Sequence, residues 1–193
     1  MSDLHLELNR QYSTFDFPVK APLLALGGDI GRLVDYEPFL GFLARQTARF
    51  DKVFLVLGNH ELYEMSYDAG IEKALLLEKE EALGGKLVLM HRNRWDDPDS
   101  KLTILGCTPG PTSRASRPEH EKNPWKTAFS TDVLQRREFA RVAWWMFGHT
   151  HFTTQFQRGR IRVVANQRGY VLGFGGPTLE NTRGFDAERV VDL

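Results

Sequence analysis

The sequence predicts an α/β protein whose functional residues gather at the ends of its strands. Three observations predict it. Short apolar runs recur along the chain, each closed by a glycine and followed by polar residues. Segments of helical periodicity lie between them. Four of the six histidines fall in the polar clusters that follow, which places candidate chemistry where the strands end.

The elements follow in order. Residues 22–28, "PLLALGG", form an apolar run ended by paired glycines with Asp29 just beyond, and read as a buried strand. From Tyr36 to Phe50 the residues Phe39, Leu40, Phe42, Leu43 and Phe50 recur at roughly helical spacing, with Asp35 as N-cap. "KVFLVLGNHE" repeats the first design: an apolar, partly β-branched run, a glycine, then polar residues. A second helix is predicted over 67–83, rich in Leu, Glu and Lys, with Gly84 placed to end it. Short strands are expected at 86–90 and 102–106, a helix near 131–143, and a strand in "WWMFG". "FTTQFQRGRIRVVAN" reads as a β-hairpin turning at Arg158-Gly159. Residues 108–124 hold four of the nine prolines and no strongly apolar side chain, so they read as a surface loop. No repeat and no boundary divides the chain, and residues 1–193 are expected to form a single domain with this Pro-rich junction inside it.

Composition narrows the function. With 193 residues, 41% of them hydrophobic and 26% charged, the chain can bury a sizeable core. Lys+Arg and Asp+Glu both number 25, so no global field draws it to nucleic acid or an anionic membrane. Anion binding must come from a local site. The single cysteine, Cys107, excludes a disulfide framework and a thiolate zinc site, and reads as a small core residue. The opening "MSDLHLEL" is charged where a secretory signal needs an apolar stretch, and no apolar run approaches a membrane span, so cytoplasmic location is expected.

Four polar clusters appear in order: Asp3 and His5 in "SDLH", Asp29 in "GGD", Asn59 and His60 in "GNHE", and His149 and His151 in "GHTH". Three of them follow a strand-like run and a glycine, which puts their side chains at one sheet edge. Asp, His and Asn supply oxygen and nitrogen donors without thiolate, a set suited to Mn, Fe or Zn. In an extended backbone His149 and His151 would stand about 6.6 Å apart on one face. That spacing lets them reach two ions about 3.5–4 Å apart. Asp29 would then bridge, with one oxygen on each ion. Two divalent ions against Asp3 and Asp29 leave about two positive charges to attract a phosphate ester. His91, after "KLVLM", reads as an ordinary polar residue at a strand end.

The ordered set "SDLHLE … GGDIG … LGNHE … MFGHTH … NQRGY" resembles the calcineurin-like metallophosphoesterase family, particularly its small microbial and fungal members, over nearly the whole chain. The resemblance implies a double β-sheet sandwich flanked by helices with a two-metal site at the sheet edge. It implies that Asp3, His5 and His151 hold one divalent ion, that Asn59 and His149 hold the second, and that Asp29 bridges them. His60 would stabilise the transition state or protonate the leaving oxygen while a hydroxide between the ions attacks phosphorus in line. Glu61 would support the site or cap a helix rather than ligate. The implied activity is hydrolysis of a phosphomonoester or phosphodiester. The absence of a "VDRG" extension after Asp29 favours a small phosphorylated substrate over a phosphoprotein.

The chain departs from that pattern twice. The family carries a further histidine, a ligand of the second ion, between its GNHE and GHTH motifs, and no matching motif occurs here. Instead "GCT" runs directly into "PGPTSRASRPEHEKNPW", as an internal deletion would leave it. His120 lies there as a substitute that the pattern does not favour. The family also places a buried strand before "SDLH", which leads to the expectation that Asp3 and His5 lie on a fraying terminus. Both departures lead to two alternatives: a catalytically impaired scaffold or metal-binding protein, or a truncated product.

Overall fold

A computed structural model of the chain describes residues 1–106, 141–171 and 184–193. The predicted junction at 108–124, Cys107, His120 and nearly all of the helix expected at 131–143 lie outside them.

The first half is built as expected. Strands β1 (Leu23–Gly27), β2 (Lys52–Val56) and β3 (Leu87–Leu89) form a parallel sheet in that order, with Leu26 opposite Leu55 and Leu55 opposite Leu89. Helix α1 (Tyr36–Arg49) crosses between β1 and β2. It buries Phe39, Phe42, Leu43, Gln46 and Thr47, which recur at intervals of three and four and so share one face. Fully burying its three apolar residues contributes about 1.5–3 kcal/mol each. Asp35 precedes the helix but does not cap it with its side chain. Its carboxylate instead accepts from Arg32 Nε at 3.0 Å and from the Tyr12 hydroxyl at 3.1 Å.

The helix predicted over 67–83 is shorter. Helix α2 spans Tyr67–Glu78, with the Ser66 hydroxyl accepting from Ala69 N, and a separate 3-10 turn, Glu81–Leu83, precedes a left-handed Gly84. Two acidic side chains near the break are held by neighbours: Glu78 Oε1 accepts from Leu89 N at 2.7 Å and Glu80 Oε1 from the Tyr36 hydroxyl at 2.5 Å.

The second sheet has the order β6-β8-β7, with β6 (Trp144–Met146) parallel to β8 (Ile161–Ala165) and β7 (Thr154–Arg158) antiparallel to it. The β7–β8 hairpin turns at Gly159-Arg160, one residue later than the sequence suggests. A two-stranded pair, β4 (Asn93–Asp96) with β5 (Thr103–Gly106), was not foreseen at β4, whose residues are largely exposed and polar. Phe147, Ile161, Val163 and Ala165 form a small core of their own, apart from the larger one around β1–β3.

The chain start joins the two sheets. Gly27 N donates to Met1 O and Ser2 N to Asn166 O, while Asp3 N, His5 N and Leu6 N donate to Gly28, Asp29 and Ile30 carbonyls at 2.9–3.0 Å. Leu4 and Leu6 are fully buried in the larger core. The expected fraying is therefore corrected: Asp3 and His5 are 0% and 1% exposed and fixed by backbone bonds to the β1 exit. Among the described residues no helix is long and apolar enough to cross a membrane.

Candidate metal centre

The predicted residues come from four loops at the seam between the sheets: residues 3–5, the exits of β1 and β2, and the stretch after β6. Two glycines let these loops touch. A Cβ on Gly58 would collide with the Asp29 carboxylate and its backbone nitrogen, and one on Gly148 would stand 2.6 Å from Gly27 O and 2.8 Å from Asp3 Oδ2.

Asp3, His5 and His151 converge. His5 Nε2 and His151 Nε2 lie 3.0 Å apart, and His151 Nε2 is 3.4 Å from Asp3 Oδ1. Two nitrogens each about 2.1 Å from one ion, at a right angle, stand about that far apart. Asp3 Oδ1 accepts from His149 N at 2.8 Å, whereas Oδ2 is buried without a hydrogen bond of good geometry. A buried carboxylate with one oxygen beside the facing imidazole nitrogens and the other left without a hydrogen bond of good geometry is the donor set of a cation site, so these residues fit a divalent ion.

Asp29 stands beside this triad. Its Oδ1 accepts from His60 N at 2.8 Å and its Oδ2 lies 3.8 Å from His149 Nδ1. The second set is more open. His149 is about half exposed at its side chain (48%), and Asn59 is exposed and turns its amide nitrogen to the Tyr63 hydroxyl at 2.8 Å. His91 lies elsewhere, with its ring 6.2 Å from that of Tyr67.

The expectation of an extended His149–His151 segment is also corrected. Both residues have left-handed backbones, φ 79° and 48°, as do Asp3 (54°), His5 (47°) and Asp29 (53°). Left-handed geometry is uncommon outside glycine, though less so for Asp and His, and clusters where function demands it. Five of the six predicted ligands adopt it here.

Glu61 is not among the donors. Fully buried, it accepts from Gly58 N (2.7 Å), Asp29 N (3.0 Å) and Ile30 N (2.7 Å), tying the β1 exit to the β2 exit. Burial and the Asp29 charge push its carboxyl up, against the pull of the Ile30 and Gly58 N–H groups. Two residues were given no role in advance. Glu7 Oε1 lies 2.9 Å from His60 Nδ1 and 3.3 Å from His5 Nδ1, forming a second donor triad. The Tyr170 hydroxyl lies 3.1 Å from His60 Nε2, and its ring packs on His5 and His151. The signal for Glu7 was its position two residues after His5, as His5 follows Asp3. Tyr170 stood in the quoted "NQRGY".

The electrostatics make occupancy depend on pH. Burial, reinforced by the Asp29 charge, raises the Asp3 carboxyl to about 7, while burial and the neighbouring His5 lower the His151 imidazole to about 4. His151 is thus a free base throughout the neutral range, and Asp3 must lose its proton to ligate. Ion affinity is expected to rise with pH through about 7 and then level off. Without an ion, the raised Asp3 also works against the fold: its favourable contribution is complete below its unfolded value near 4 and lost as pH rises through about 7. Added Mn2+ should therefore raise the melting temperature more at pH 8 than at pH 5.5, which paired thermal melts will check.

The calcineurin-like phosphoesterase family model matches residues 1–152, and the chain belongs to that family, whose reaction is metal-dependent hydrolysis of phosphoesters. Among solved structures, phosphopantetheinyl hydrolase from Mycobacterium tuberculosis shares the fold, with a TM-score of 0.55 at 14% identity over 88% of each chain. No curated protein matches the sequence. The mixed α/β metallophosphoesterase fold expected from the sequence is the fold of this chain.

Proposed function

We propose that this chain hydrolyses a small phosphomonoester or phosphodiester with two divalent ions, Mn or Fe or alternatively Zn, at the seam between its sheets. Asp3, His5 and His151 would hold one ion, Asn59 and His149 the other, and Asp29 would lie between. The observation that carries this reading is the convergence of the buried donor atoms of Asp3, His5 and His151. Bound there, the ions supply Lewis acidity toward the phosphoryl oxygens and activate water. The protein's own groups do the rest. His60 turns Nε2 into the site and its backbone N–H to Asp29, which suits it to meet the leaving oxygen. Leu4, Leu6 and Ile30, all fully buried, hold the loops that carry the donors.

A second reading, a metal-binding scaffold with one ion, is favoured by Asn59 facing Tyr63 and by the exposure of His149. Purified protein loaded with Mn2+ or Fe2+ is expected to hold two ions per chain by mass analysis and to hydrolyse an aryl phosphate or a bis-aryl phosphodiester. His149→Ala should reduce both the ion count and the rate. One ion per chain with no turnover would select the scaffold. Turnover unaffected by His149→Ala would remove that residue from the site.

A further inference from the structure

We infer that Glu7 is the positioning residue of this site, one carboxylate oxygen fixing the orientation and tautomer of both His5 and His60. This rests on the roles proposed above for those two histidines. Oε1 of Glu7 is within hydrogen-bond reach of Nδ1 on each ring, at 3.3 and 2.9 Å. An ionised carboxylate can only accept, so in both contacts the imidazole donates, and each ring carries its proton on Nδ1. In a neutral ring the lone pair is then on Nε2. In His5 that atom faces His151 Nε2 and in His60 it faces the Tyr170 hydroxyl, so both lone pairs point into the site.

The surroundings suit such a role. The Glu7 side chain is 6% exposed, and its Oε2 is buried with no hydrogen-bond partner, an arrangement that solvation does not explain. Leu4 and Leu6, alternating with His5 and Glu7, anchor the segment in the core. The His5 and His60 rings meet edge to face at 4.3 Å, so neither turns without the other. A ligating imidazole needs a proton acceptor on its other nitrogen to hold ring and tautomer. Glu7 serves one ring that binds the ion through its Nε2 lone pair and one whose Nε2 must first take up a proton to meet the leaving oxygen, the same carboxylate then facing the imidazolium, and so couples the two tasks.

The test is 15N NMR of the imidazoles in the metal-free full chain, combined with Zn2+ titration, for wild type, Glu7→Gln and Glu7→Leu. Wild-type His5 and His60 are expected as Nδ1–H tautomers. Glu7→Leu should convert both to mixtures and weaken Zn2+ binding about 10–100-fold. Glu7→Gln, whose amide oxygen accepts the same hydrogens, should keep the Nδ1–H form and recover part of the affinity. A wild-type His5 or His60 protonated at Nε2 would overturn the inference, as would unchanged tautomers and affinity in Glu7→Leu. Should the leucine variant fail to fold, the wild-type and glutamine spectra still decide. Because the tautomers are read without turnover, an inactive wild type would count against the proposed function and leave this result standing.

Discussion

Glu61→Leu is expected to destabilise the protein by about 3–5 kcal/mol, because it strips the acceptor from several backbone N–H groups at once. The loss comes from the backbone. The Glu61 carboxyl receives the N–H groups of Gly58, Asp29 and Ile30, and leucine would leave all three without that acceptor, those of Asp29 and Ile30 fully buried. Each such group costs about 1–3 kcal/mol, and local relaxation brings the sum into the stated range. Against a typical domain stability of about 5–15 kcal/mol, that is a large fraction. Glu61→Gln keeps the shape and one acceptor oxygen, and is expected to fall between wild type and leucine. Urea unfolding followed by circular dichroism measures both, and a leucine variant within about 1 kcal/mol of wild type would show that other bonds tie the two loops.

Asp29→Asn is expected to lower kcat/KM on an aryl phosphate more than about 100-fold, beyond the loss typical of residues one step behind a metal ligand. The substitution separates two roles. Asparagine retains an Oδ1 that can accept from His60 N, now at 2.8 Å, so the His60 loop should stay in place and the melting temperature should move little. What disappears is the negative charge between the two sets of donors. Asp29→Ala removes both, and should lose stability as well as activity. The charge also bears on Asp3, whose raised carboxyl owes its shift to burial first and to Asp29 second. In Asp29→Asn the pH at which Asp3 ionises should fall. Activity within about 10-fold of wild type in Asp29→Asn would mean that Asp29 acts only as a backbone acceptor.

The sequence made the frame of this protein legible because the frame is written in hydrophobic periodicity. β1, α1, β2 and the β7–β8 hairpin lie where apolar spacing and glycines put them. The β4 strand did not show, since Asn93, Arg94 and Asp96 are exposed polar residues whose pairing with β5 depends on tertiary context. At the site, residue types and chain order picked out Asp3, His5 and His151, which the fold gathers from opposite ends of the chain. Their backbone geometry was not readable, because a His-x-His pair in isolation gives no reason to leave the extended region. Glu7 escaped notice for a similar reason: a carboxylate two residues from a histidine has meaning only once His60 is known to stand beside it.

The left-handed backbones at Asp3, His5, Asp29, His149 and His151 set two kinds of selection against each other. For residues other than glycine this geometry disfavours the native state by about 1–2 kcal/mol at each position. Glycine would remove that strain, though at Asp3 and Asp29 it would also remove the oxygens that accept from His149 N and His60 N. A population of variants selected for heat resistance alone would drift toward glycine at the three histidines and away from metal binding, while Asp3 and Asp29 are also held by the backbone N–H groups they accept. The places where thermal selection gains most easily are thus the places where a phosphoesterase can least concede them.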